Sequence, residues 1–70
     1  MITFEKTSHY MTQRIFMDGE MVGTAFRYNP SSTWEAWSQL DKAEIHLYNQ
    51  PSRETAAKRL VAAMKGAKVL

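Results

Sequence analysis

The stretch RIFMDGEMVG, residues 14–23, decides how the first half of this chain folds. It sets Asp18-Gly19 between two runs in which apolar and polar residues alternate, the strongest short-range signal for a β-hairpin. A type I′ turn needs positive φ at both central positions, which aspartate tolerates and glycine adopts freely. A two-residue loop then dictates the register. The expected pairs are Met17 with Glu20, Phe16 with Met21, Ile15 with Val22, Arg14 with Gly23, Thr12 with Ala25, Met11 with Phe26 and Tyr10 with Arg27. Alternation sorts these onto two faces. The expected core face holds Met11, Ile15, Val22 and Phe26, with Met17, His9 and Tyr28 toward the ends. The expected open face holds Tyr10, Thr12, Arg14, Ala25 and Arg27, with Phe16 and Met21 near the turn.

Outward from the hairpin, KAEIHLYN (residues 42–49) predicts another strand, with Ala43, Ile45 and Leu47 inward and Glu44, His46 and Tyr48 outward. ITFEK (residues 2–6) reads as a short edge strand or a frayed terminus, and NPSS (29–32) as the turn that ends the hairpin. STWEAWSQL (32–40) carries two signals. Ser32 with Glu35 forms a capping-box pattern, and Trp34, Trp37 and Leu40 recur at near-helical spacing. Tryptophan and threonine favour strands, and strand is the preferred reading, with Trp34 and Ala36 on one face and Trp37 on the other.

QPSRETAAKRLVAAMKGAK (50–68) is the clear helix. Ser52 caps it, Glu54 complements the dipole in the first turn, and Gly66 offers a C-terminal stop. Ala57, Leu60, Val61 and Met64 form the buried stripe, with Ala56 and Ala63 beside it. The expected fold is α+β: a small antiparallel β-meander of three to four strands with one C-terminal helix packed on one face, a single compact domain over residues 1–70.

A chain of 70 residues is near the lower end of what one apolar core supports, so homodimerisation is a natural source of extra burial. The absence of cysteine excludes disulfides and thiolate metal sites. His9 and His46 lack metal-binding spacing, and neither a metal nor a cofactor is expected. No apolar run approaches the ~20 residues of a membrane span. MITFEKTSHY lacks the plan of a signal peptide, so the expected location is cytoplasmic, away from membranes. Compact, cysteine-free chains of this size are also a common product of phages and mobile elements. Charge is uneven: residues 1–44 carry four cations against six carboxylates, and residues 45–70 carry five against one.

Three surfaces follow. The helix cations Lys58, Arg59 and Lys65 offer nucleic-acid contacts through phosphates, although they flank the outer face without forming one row. The open sheet face offers Tyr10, Arg14, Arg27, His46 and Tyr48, with Trp37 if its segment is a strand. Aromatics beside arginines suit stacking on unpaired bases or anchoring a protein interface. Glu44 and His46, two apart on one strand, are the only catalytic pairing in view, without a nucleophile elbow or a phosphate loop beside them.

The strand–helix order and the S-x-E-x-A-A start of SRETAAKRL (52–60) resemble the layout of three-stranded DNA-binding modules of the integrase-arm type. That resemblance implies reading through the sheet, by Tyr10, Arg14 and Arg27. The residues themselves favour a non-enzymatic binding module, an inhibitor or adaptor, docking on another protein through Tyr10, Arg14, Arg27, His46 and Tyr48. Nucleic-acid binding through the same face or through Lys58, Arg59 and Lys65 is the alternative.

Overall fold

Asp18 and Gly19 take φ values of 51° and 87°, the positive pair the hairpin turn requires. The computed structural model describes residues 1–38 and 44–66 and builds five strands and a helix around this turn. They are β1 (Ile2–Lys6), β2 (Thr12–Met17), β3 (Glu20–Phe26), β4 (Trp34–Ser38), β5 (His46–Gln50) and α1 (Arg53–Gly66). The strands form one antiparallel sheet in sequence order, a meander. The count is five, not three to four. ITFEK pairs along its whole length with β2, from Ile2–Met17 to Lys6–Gln13, and WEAWS pairs with both β3 and β5. Residues 39 and 40 of the ambiguous tryptophan segment, and Ala43, lie outside the described residues.

The hairpin keeps its expected register for two pairs only, Met17–Glu20 and Phe16–Met21. Beyond them Ile15 faces Gly23, Arg14 faces Thr24 and Thr12 faces Phe26, so Val22 is the extra residue of a β-bulge. The cause is packing. Val22 and Gly23 are both buried, and a Cβ built on Gly23 would stand 2.6 Å from Leu60 Cδ2 and 2.4 Å from the Trp37 carbonyl oxygen. Glycine leaves the space into which Leu60 of the helix settles. The slip reverses every face assignment after it: Ala25 is fully buried under the helix, and Phe26 turns to the open side. Arg27 turns to the helix side, its guanidinium 4.8 Å over the Trp34 ring.

β2 also begins later than the extended pairing assumed. Because β1 is a full strand, residues 7–11 must reverse the chain between β1 and β2. Thr7 Oγ1 donates to the Thr12 carbonyl at 2.8 Å, and the Thr12 amide donates to the His9 carbonyl at 3.0 Å. Tyr10 therefore sits in this loop and has no partner strand.

The Ser52 cap forms as expected: its Oγ accepts the Thr55 amide at 3.1 Å, and its carbonyl accepts the Ala56 amide at 3.0 Å. The expected stripe of Ala57, Leu60, Val61 and Met64, together with Ala56, is buried against Ile15, Val22, Ala25 and Ala36. Ile2, Phe4, Met17, Trp34, Ile45 and Leu47 pack around that cluster, so every strand reaches the core. Five strands side by side span roughly 19 Å, while one helix is about 10 Å across. A flat sheet would leave its edges off the helix, and here the start of the helix reaches back to the first two strands. Arg53 shows the closure: three residues after β5 ends, it donates to Gln13 of β2 at 2.6 Å and lies 4.1 Å over Phe4 of β1. The two irregularities, at Val22 in β3 and at Asn49 (φ 56°) in β5, are where such a sheet bends. The helix fills the concave side, and the convex side is left open. Among the described residues no helix is long and apolar enough to cross a membrane.

Candidate functional site

Strand pairing aligns Glu5, Arg14, Thr24, Trp37 and His46 in one row across the convex face. Thr12, Phe26 and Glu35 form the row on one side, and Thr3, Phe16 and Met21 the row on the other. Three phenylalanines, three tyrosines and two tryptophans make up the aromatic set, and none belongs to the fully buried core. Beneath the helix Gly23, Ala25, Ala36, Ala56 and Ala57 pack beside Ile15, Val22, Leu60, Val61 and Met64, while the rings of Phe4 and Trp34 lie partly buried against that cluster. Much of the bulky apolar surface has gone outward instead, where Trp37 is 38% and Tyr48 58% exposed.

At the centre of this face Glu35 is only 8% exposed. Its Oε1 lies 2.8 Å from His46 Nε2; an ionised carboxylate accepts, so Nε2–H is the donor. The His46 ring stacks on Tyr48, with centroids 4.1 Å apart, and meets the edge of Phe26 at 5.9 Å. Phe26 in turn meets Tyr28 edge-on at 5.9 Å. The result is a wall of aromatic rings around one carboxylate. The histidine's carboxylate partner is thus Glu35 on the neighbouring strand, not Glu44 as the spacing along one strand suggested. At the far end of the row Arg14 donates to Glu5 at 3.0 Å.

The expected contact residues do not all meet here. Arg14, His46 and Tyr48 do share the convex face. Tyr10 stacks on His9 in the loop before β2, with centroids 5.6 Å apart, and Arg27 lies on the opposite side of the sheet. Arg27 donates to the Pro30 carbonyl at 3.2 Å, while its buried Nε finds no acceptor among the described residues. Glu35 and Phe26 were missed. Phe26 was hidden by the bulge. Glu35 had a signal, since it alternates with Trp34 and Ala36 and so had to share a face with Trp37.

The helix cations are scattered. Arg59 donates to Gln50 at 2.8 Å, and Lys65 is exposed near the end of α1. Lys58 lines a groove of about 110 Å³ with Ile2, Phe4 and Glu54. That is well below the ~300 Å³ typical of a cleft for a small-molecule substrate. Arg53 holds Glu54, to which it donates at 2.7 and 2.9 Å, below the usual carboxylate range of protonation. No protein-family model matches the chain, and neither a curated protein nor a solved structure matches it significantly.

Proposed function

We propose that this protein is a small non-enzymatic binding module, an inhibitor or adaptor, that docks on another protein through the convex face of its sheet. One observation carries the reading: aliphatic residues, alanines and Gly23 close the core, and Phe26, Trp37 and Tyr48 are left on a face the helix does not cover. Aromatic residues gathered around a partly shielded polar centre are what concentrates binding energy in protein interfaces. Trp37, His46, Tyr48 and Phe26 are the central contacts in this reading, with Arg14 at the rim. A cysteine-free chain suits a reducing compartment such as the cytoplasm.

Charge separates this reading from nucleic-acid binding. Phosphates need a surplus of cations. Among the described residues, the strands of the convex face carry Glu5 and Glu35 against Arg14, and Arg14 is already paired with Glu5. The helix cations lie on the other side of the molecule.

Quantitative capture from cell extract with three baits tests the reading: the wild type, Trp37→Glu and the double variant Lys58→Glu/Arg59→Glu. The expected result is a protein held by the wild type and by the helix variant and lost by Trp37→Glu. Loss with the helix variant alone, together with recovery of nucleic acid, would move the function to the helix.

A further inference from the structure

Resting on the docking reading, we infer that the convex face recognises an arginine side chain presented by its protein partner, seated against Trp37 and Tyr48 with Glu35 as its counter-ion. Three observations converge on this chemistry. First, the sign of the face opposes that of the chain: the whole protein is +2, yet among the described residues the strands of this face carry Glu5 and Glu35 against Arg14. Second, the central carboxylate is shielded and sits among aromatic groups: Phe26 is its cross-strand partner, and the His46 ring that it holds touches both Phe26 and Tyr48 and is paired with Trp37. A cation over such rings is attracted by their faces, most strongly by tryptophan, and the attraction grows as water is excluded. Third, the carboxylate is already engaged by a cation-capable ring N–H, that of His46 at 2.8 Å. His46 thus marks the position a stronger donor would take.

Arginine fits better than lysine because its planar guanidinium stacks on a ring and bonds a carboxylate in the same pose, and because it sheds water more readily. A second copy of this chain fits poorly. Face-to-face packing would set the acidic face that holds Glu5 and Glu35 against the same acidic face of the other copy.

The test is an amide and indole NMR titration of the intact protein with acetylated, amidated Gly-Arg-Gly, using the citrulline peptide as an uncharged control of the same shape. Shifts should concentrate on the Trp37 indole and on the amides of Glu35, His46 and Tyr48, and the citrulline peptide should bind at least tenfold more weakly. Glu35→Gln should abolish the arginine preference. Trp37→Leu gives an independent check should Glu35→Gln disturb the fold, and it should weaken binding severalfold. Shifts spread equally over Asp18, Glu20 and Glu54, or an arginine preference that survives Glu35→Gln, would overturn the inference. If the peptide fails while Trp37→Glu still abolishes capture of a partner, arginine recognition falls and the docking face stands. If Trp37→Glu captures as the wild type does, the docking face falls as well.

Discussion

The two sides of this one sheet differ in what covers them and in how much aromatic surface they leave exposed. The concave side is closed by aliphatic and small residues: Gly23 lets Leu60 approach, Ile15, Val22, Ala25 and Ala36 are buried against Leu60 and Met64, and Phe4 and Trp34 pack partly buried beside them. The convex side carries Phe16, Phe26, Trp37 and Tyr48, all at least partly exposed. A chain this short gains most by close contact between helix and sheet, and at the closest approach, over Gly23, there is no room for a ring. The rings that face outward contribute apolar area to whatever covers them, and less to the fold itself. The same sheet thus separates residues that hold the fold from residues free to serve a partner.

The sharpest way to break that contrast is on the concave side. Leu60 is fully buried, and Leu60→Ala should cost about 2–5 kcal/mol in urea unfolding. A cost below about 1 kcal/mol would mean the helix is not packed as tightly as described. Gly23→Ala is the next largest effect. Its Cβ would lie 2.4 Å from the backbone oxygen of Trp37, which cannot swing aside as a side chain could. Destabilisation of about 1–3 kcal/mol is expected, in a strand where alanine would otherwise be neutral or favourable. A stabilised variant would show that the close approach is absent.

The smallest effect lies on the helix surface, where Arg53 stabilises the ionised form of Glu54. A lowered carboxylate pKa contributes stability that is present at neutral pH and is lost as pH falls below the ordinary glutamate range. The pair is largely exposed, so Glu54→Gln should cost no more than about 0.5 kcal/mol at pH 7 and nothing once the carboxylate is protonated. Unfolding midpoints at pH 7 and pH 3 would show it.

Much of the fold was legible because its signals are local. Asp18-Gly19 fixes a turn by backbone conformation, Ser52 caps a helix, and the spacing of Leu60, Val61 and Met64 fixes the helix's inner face. The bulge was less legible because its cause is distant in sequence: Leu60 must rest on Gly23. A glycine inside an alternating run, directly after Val22, is the one local hint of it. The cost of missing it was specific, since a one-residue slip moves Arg27 off the open face and Phe26 onto it. The candidate site was legible only in part for the same reason. His46 and Tyr48 alternate within a single strand, whereas the Glu35–His46 contact depends on how β4 and β5 pair.

The most direct test of the contrast compares Leu60→Ala with the double variant Trp37→Thr/Tyr48→Thr, in urea unfolding followed by circular dichroism. The two outward rings are far larger than the one inward leucine, and threonine keeps the strand preference. The account predicts that the double variant unfolds cooperatively and loses less stability than Leu60→Ala. A loss equal to or greater than that of Leu60→Ala would show that the convex rings hold the fold together, and the docking face would lose its basis.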